Sequence, residues 1–90
     1  MFLRAKITIR GHVQGIGFRR FLKNYAMKLN LKGYTKNLPN KDVELLIEGQ
    51  EPSVKEMIEI CKVGSKFSII KDVNAEIEKY KGDLNNFDIK

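Results

Sequence analysis

The sequence predicts an α+β fold whose elements follow the order β-α-β-β-α-β, with a short extra strand at the end. Near the N-terminus, apolar residues alternate with polar ones, which is the period of a strand with one buried side. These apolar residues are Leu3, Ala5, Ile7 and Ile9. After a glycine-containing segment, apolar residues recur at helical spacing and predict an amphipathic helix. They are Phe18, Phe21, Leu22, Tyr25, Ala26 and Leu29.

A β-hairpin is expected after this helix. Gly33 follows the last apolar residues and is expected to end the helix, because glycine readily takes the left-handed conformation found at helix ends. Short strands are predicted at residues 34–37 and 43–48. The residues between them favour a turn. They are Leu38, Pro39, Asn40, Lys41 and Asp42.

A second helix and two further strands complete the pattern. Ser53 is expected to cap the helix and Gly64 to end it, since Glu56 stands three positions after Ser53, as in a capping box. The apolar side of this helix consists of Val54, Met57, Ile58 and Cys61. The remaining strand patterns are Val73, Ala75 and Ile77, and then Phe87 and Ile89. This order is the ferredoxin-like arrangement, in which two helices cover one face of a mainly antiparallel sheet.

Length and cysteine content limit the possible functions. Ninety residues are expected to form one domain, residues 1–90, without room for a second core. No segment has the roughly 18 apolar residues of a membrane helix, and a cytoplasmic location is expected. Cys61 is the single cysteine, which excludes an internal disulfide and a multi-thiolate metal site.

Charge is unevenly distributed along the chain. The net charge is +6, but residues 1–41 contain ten basic residues and no acidic one, whereas residues 42–90 carry a net charge of −4. A field of this kind attracts a negatively charged partner, either a small phosphorylated molecule or a nucleic acid. The charge alone does not distinguish between these two.

The segment between the first strand and the first helix, residues 11–20, has the composition of an anion site. Its glycines allow backbone N–H groups to converge as a nest, and the helix that follows adds free N–H groups and the positive end of its dipole. Arg19 adds a planar fork that matches phosphate oxygens. The same glycines could also serve only to make a tight turn.

The known nucleotide-binding signatures do not fit this segment. A Walker motif that starts at Gly11 would need glycine at Ile16, followed by Lys and Ser or Thr. A dinucleotide motif that starts at Gly15 and Gly17 would need a third glycine at Arg20 and a larger sheet. The sequence therefore argues against a nucleotide-binding fold.

Three segments of the chain match motifs of a known protein family. The first is Gly11-His12-Val13-Gln14-Gly15-Ile16-Gly17-Phe18-Arg19, which resembles the pattern Gly-x-Val-Gln-Gly-Val-x-Phe-Arg of the acylphosphatase family, with isoleucine for the second valine. The second is Gly33-Tyr34-Thr35-Lys36-Asn37 with Val43-Glu44, and the third is Phe87-Asp88-Ile89. The resemblance thus covers nearly the whole chain in the expected order.

The resemblance implies hydrolysis of the carboxyl-phosphate bond of small acyl phosphates. The products would be a carboxylate and inorganic phosphate, and no metal or other cofactor would be needed. Arg19 would hold the phosphoryl group together with backbone N–H groups, and Asn37 would position the attacking water. The backbone groups are those of Gly15, Ile16, Gly17, Phe18 and Arg19. A monomer is expected.

Other candidate residues have simpler interpretations. His12 is expected to be exposed and dispensable, and Cys61 to be a small buried hydrophobic residue rather than a nucleophile. Arg20 and Lys23 are expected on the solvent side of the first helix, where they contribute only to the field. Four carboxylates are expected to be solvated or to cap helices. They are Glu44, Glu48, Glu56 and Glu59.

Two alternative functions of other classes fit parts of the sequence. An RNA-binding module would need exposed aromatic residues on its central strands; residues 32–34 begin such a motif, but residues 35–37 do not continue it. The other alternative is a non-catalytic accessory domain with the same fold. The presence of both Arg19 and Asn37 argues against a degraded site, and we expect nucleic acid not to be a partner.

Overall fold

A computed structural model describes all 90 residues and confirms the α+β, ferredoxin-like fold. Five strands and two helices follow the predicted order. They are β1 (Phe2–His12), α1 (Phe18–Lys28), β2 (Lys32–Asn37), β3 (Val43–Gln50), α2 (Glu51–Val63), β4 (Ile69–Lys79) and β5 (Phe87–Ile89). Neither helix is long and apolar enough to span a membrane.

The sheet has the strand order β4-β1-β3-β2-β5. All neighbours are antiparallel except β2 and β5, which are parallel. Ile9 and Asn37 both pair with Val43 at the start of β3. The C-terminal ends of β1 and β2 therefore meet at the same edge of the sheet, where the loop after β1 leads into α1.

The core lies between the helices and one face of the sheet. The predicted alternation in β1 is confirmed, because Ala5, Ile7 and Ile9 are fully buried. Both helices contribute three buried residues each to this core. They are Phe18, Leu22 and Ala26 from α1, and Val54, Met57 and Cys61 from α2. The apolar periodicity therefore identified the inward side of both helices correctly.

The predicted end of the first helix is wrong. The helix ends at Lys28, and Asn30, with φ 58°, is the residue that takes the left-handed conformation. Gly33 lies inside β2, with φ 148°. A Cβ atom at Gly33 would collide with the carbonyl oxygen of Leu46 on β3, so glycine is required there by close strand contact.

The predicted cap of the second helix is also wrong, although its predicted end at Gly64 is correct. The helix begins at Glu51, after Gln50, so Ser53 lies within its first turn, and no side chain caps this end. Pro52 explains the earlier start, because proline has a helical φ and lacks the N–H that would be unpaired in a first turn.

Glu44 and Glu48 are not solvated, contrary to the sequence-based expectation. They lie on the face of the sheet opposite the helices, and both are buried. The Tyr34 hydroxyl donates a hydrogen bond to Glu44 (2.8 Å). Burial, assisted by this carboxylate, raises the pKa of Tyr34 to about 12. The alternation of apolar and polar residues thus predicted that both glutamates face away from the core. It did not predict that neighbouring side chains bury them.

Glu48 fastens the chain after β4 to the sheet. Its carboxylate accepts hydrogen bonds from Arg4 Nε (2.8 Å) and from the backbone N–H groups of Lys81 (2.8 Å) and Gly82 (3.2 Å). Arg4 also donates to Asp83 (2.7 Å). The hydrogen bond to Glu48 is the main cause that raises the pKa of Arg4 above its usual value. The network holds residues 81–83 on the sheet as the chain returns toward β5.

Replacing Glu48 by alanine should therefore destabilise the fold strongly. The change leaves Arg4 buried without its main partner, and breaking a buried ion pair in this way costs about 3 to 5 kcal/mol of unfolding free energy. Urea denaturation of Glu48→Ala measures the loss. Glu59→Ala is the matched control, because it removes an exposed pair with Lys62 that is worth less than about 1 kcal/mol. Equal losses in both variants would contradict this role of Glu48.

Candidate active site

The loop between β1 and α1 turns through two left-handed glycines. Gly15 has φ 76°, and Gly17, which directly precedes α1, has φ 77°. A Cβ atom added at either glycine would have no other atom within 4 Å, so the backbone angle and not lack of space requires glycine. Val13 is buried in the core at the start of the loop. Backbone N–H groups in such a turn, next to a helix N-terminus, suit an anion.

A cavity of about 250 Å³ lies beside this loop. It is lined by Val13, Gly15, Gly17, Phe18, Arg19, Arg20, Asn37 and Ile89. Arg19 and Asn37, which are far apart in sequence, thus line one cavity. Ile16 does not line it, because its side chain packs against the core. No aspartate or glutamate side chain lines the cavity.

Arg19 is held by its neighbours at the start of α1. Phe18 beside it is 1% exposed and stacks on Phe21, with 5.5 Å between ring centroids. Arg19 is half-buried as a residue, and its Nη1 donates to the backbone oxygen of Lys90 (2.6 Å) at the surface. This contact uses part of a group that has five N–H donors. The remaining donors are available to a ligand.

Asn37 is the last residue of β2 and is exposed. Its side-chain amide makes no hydrogen bond to the protein, so both its oxygen and its nitrogen are free to bind a ligand or water. The turn after it is closed by hydrogen bonds between Leu38 and Asp42 and between Lys41 and Leu38. Lys41 takes the left-handed conformation, with φ 77°, within this turn. The turn therefore accommodates a lysine where glycine is more usual.

Gln14 connects the loop to this turn, a role that sequence reasoning missed. Its Nε2 donates to the carbonyl oxygens of Leu38 and Asp42, both at 3.0 Å. The two hydrogen bonds join the segment that carries the glycines to the segment that follows Asn37. The glutamine in the first motif was the one sequence signal for this connection. Its partners are backbone atoms, however, and a sequence pattern does not identify them.

Arg20 lies on the solvent side of α1, as expected, but it does more than contribute to the electrostatic field. It is exposed, but it also lines the cavity, beside Arg19 and across from the strand that carries Asn37. Lys23, one turn later, lines a different cavity. The helical period placed both residues on the polar side of α1, but it did not show that the first turn of this side faces the site.

His12 and Cys61 are placed as expected. His12 is exposed at the end of β1 and does not line the cavity. Cys61 is fully buried in the core, and burial raises the pKa of its thiol to about 12. The thiol is therefore protonated near neutral pH and shielded from solvent, which confirms that it is a buried hydrophobic residue.

The fold and the cavity together define an α+β protein with two arginines and a glycine-containing loop around one cavity. A sequence model of the acylphosphatase family, described as "Acylphosphatase", matches residues 5–89. An acylphosphatase from Geotalea uraniireducens is 37% identical over 99% of this chain and 98% of its own length. An acylphosphatase from Aeropyrum pernix is 36% identical over 98% of this chain and 88% of its own length.

Solved structures agree with the sequence comparison. The crystal structure of acylphosphatase from Bacillus subtilis has a TM-score of 0.94 and 35% identity, with 98% of each chain covered. An acylphosphatase from Coxiella burnetii has a TM-score of 0.93 and 30% identity, with 99% of this chain and 93% of that chain covered. This chain belongs to the acylphosphatase family, and the predicted resemblance is confirmed. Hydrolysis of acyl phosphates is accordingly its activity.

Gln14→Met should lower both stability and turnover. The variant keeps the size of the side chain but removes two hydrogen bonds, each worth about 0.5 to 1.5 kcal/mol of unfolding free energy, while both carbonyl groups keep one backbone donor within the turn. It also frees the turn next to Asn37. Urea denaturation and steady-state kinetics measure the two effects. Gln50→Met, at an exposed glutamine with no side-chain hydrogen bond, is the control and should change neither. A fully stable Gln14→Met protein would refute the connection.

Proposed function

We propose that this acylphosphatase binds the phosphoryl group of its substrate in the cavity beside the β1–α1 loop and hydrolyses it without a metal ion or other cofactor. The observation that carries the proposal is that Arg19, Asn37 and the two left-handed glycines line a single cavity. The cavity offers cationic and N–H donors and no carboxylate that could ligate a metal. A direct attack of water on a positioned phosphoryl group fits this set of residues.

Arg19 and the loop backbone bind the phosphoryl group. The backbone N–H groups are those of Gly15, Ile16, Gly17, Phe18 and Arg19. A planar guanidinium can donate two parallel hydrogen bonds to phosphoryl oxygens, and the N-terminus of α1 adds its positive dipole end. In the transition state of phosphoryl transfer, negative charge is spread over these oxygens. Donors that are already in place stabilise this charge without reorganisation.

Asn37 positions the attacking water. Its free amide can accept a hydrogen bond from a water molecule through the oxygen and donate one through the nitrogen. The carboxylate that leaves is weakly basic, so the site needs no strong general acid. In this scheme catalysis consists of positioning and electrostatic stabilisation, which agrees with the lack of a histidine or carboxylate in the cavity lining.

Product inhibition, oligomeric state, location and partners complete the proposal. Inorganic phosphate, the second product, should occupy the loop as a competitive inhibitor. We also propose that the protein acts as a monomer. The single buried thiol suits the reducing conditions of the cytoplasm. Nucleic acid is not proposed as a partner.

Hydrolysis of benzoyl phosphate should continue unchanged in excess EDTA. The proposed binding groups are a guanidinium and backbone N–H groups, which a chelator does not affect. Release of benzoate is measured with and without EDTA, and inhibition by phosphate is measured in the same buffers. A loss of activity in EDTA that zinc or magnesium restores would contradict the mechanism.

Asn37→Ala should lower kcat far more than the affinity for phosphate. Loss of one preorganised polar group that acts mainly in the transition state costs on the order of 10² to 10³ in rate. Steady-state kinetics with benzoyl phosphate gives kcat, and phosphate inhibition gives the affinity. Asn24→Ala, at an exposed position on α1 outside the cavity, is the matched control. If kcat is the same in both variants, Asn37 has no part in the reaction.

Arg19 should couple phosphate binding to stability. A ligand that binds only the folded protein stabilises it by about 2.7 kcal/mol at a hundredfold excess over Kd. Thermal melts in phosphate and in chloride of equal ionic strength measure this shift. Arg19→Ala should lose most of it, and Arg19→Lys should recover only part, because an ammonium group lacks the planar fork.

Lys23→Ala is the control for this experiment, since it removes one positive charge from the same helix outside the cavity. Its phosphate shift should equal that of the unmodified protein. If Arg19→Ala and Lys23→Ala respond alike, the anion effect belongs to the general positive field and not to a specific site.

A further inference from the structure

We propose that Arg20 is a specificity-determining residue that binds a second negative charge, on the acyl portion of the substrate. The substrates it favours are acyl phosphates whose acyl group carries another anionic group, a carboxylate or a phosphate. The inference rests on the proposed function, because it takes the phosphoryl group to lie against the β1–α1 loop. It adds the chemical class of the leaving group.

The polar side chains of the cavity lead to Arg20. Only three of the residues that line the cavity have polar side chains, namely Arg19, Arg20 and Asn37. Arg19 is assigned to the phosphoryl group and Asn37 to the water. Arg20 therefore remains as the polar side chain that neither role uses, although it lies against the same space.

Arg20 is also a cation without a partner in the protein. Two basic residues near this edge of the sheet are engaged, since Lys36 lies 3.7 Å from Glu44 and the Lys90 ammonium lies 4.3 Å from the centre of the Tyr34 ring. Arg10 and Lys41 have no such partner, but they do not line the cavity. The Arg20 guanidinium makes no ion pair and no hydrogen bond to the protein. With no carboxylate in the cavity lining, its positive charge is available to an anion from solution.

The cavity has room for more than the phosphoryl group. Its volume is about 250 Å³, whereas a phosphoryl group consists of only one phosphorus and three oxygens. The attacking and leaving oxygens of phosphoryl transfer lie roughly in line on opposite sides of phosphorus. The acyl group therefore extends away from Asn37, and Arg20 is the polar group left to meet it.

The test compares acyl phosphates that differ only in a remote charge. Benzoyl phosphate is the parent compound, 4-carboxybenzoyl phosphate and 4-phosphonooxybenzoyl phosphate carry the second anion, and 4-carbamoylbenzoyl phosphate is the neutral compound of nearly the same shape as the first anion. The readout is the ratio of kcat/KM for each anionic compound to that for the carbamoyl compound. For the anionic compound that fits better, we expect kcat/KM to be about five times that of the carbamoyl compound, which is the size of effect typical of an ion pair still partly in solvent.

Arg20→Gln should bring this ratio close to one, whereas Lys23→Gln, which removes a charge from the same helix outside the cavity, should keep it. The preference should also weaken as ionic strength rises. A preference for the carboxylate or for the phosphate identifies which anion fits. Equal loss of the ratio in both variants, or no preference in the unmodified protein, would overturn the inference. Failure to hydrolyse benzoyl phosphate at all would instead count against the proposed function.

Discussion

The site depends on the pairing of two strands with the start of β3. Ile9 of β1 and Asn37 of β2 flank Val43 in the sheet, so the loop that follows β1 and the turn that follows β2 emerge at one edge. Gln14 then joins the two segments by two hydrogen bonds to the turn. A shift of one residue in the pairing of β2 with β3 would move every side chain of β2 to the opposite face, and Asn37 would no longer line the cavity.

Contacts on the face of the sheet opposite the helices help to position residues at the edge where the candidate site lies. The carboxylate of Glu48 holds the backbone of Lys81 and Gly82, and from there the chain returns to form β5 beside β2. Strand β5 brings Ile89 into the cavity lining and the backbone oxygen of Lys90 to the Arg19 guanidinium. A buried ion pair at one end of the protein thus helps to position residues at the other end.

Much of the fold could be predicted from the sequence, because it depends on local periodicity. The alternation in β1 and the apolar sides of both helices were read correctly, and the first motif identified the family. The errors arose where distant contacts decide the outcome. Gly33 is required by the carbonyl oxygen of Leu46 on the neighbouring strand, and the burial of Glu48 by partners that lie 33 to 44 positions away.

The candidate site was predicted only in part, because some of its contacts join residues that are far apart in the sequence. Arg19 and Asn37 could be named because each lies in a recognisable motif, and the structure places both in the lining of one cavity. The contacts of Gln14 could not be found, since its partners are carbonyl groups of a turn 24 and 28 residues later in the chain. The sequence also could not show that Arg20 lines the cavity. Helical periodicity predicts which residues lie on the same side of a helix, but it does not predict which other parts of the protein this side faces.

Strand β4 has a consequence for how copies of this protein meet one another. It is an edge strand of eleven residues, and the outer side of such a strand offers unpaired N–H and C=O groups to which another chain could add. The strand also carries a series of charged side chains. They are Lys71, Asp72, Glu76, Glu78 and Lys79. Adding a second chain would remove these groups from water, so they oppose growth of the sheet into fibres at high protein concentration.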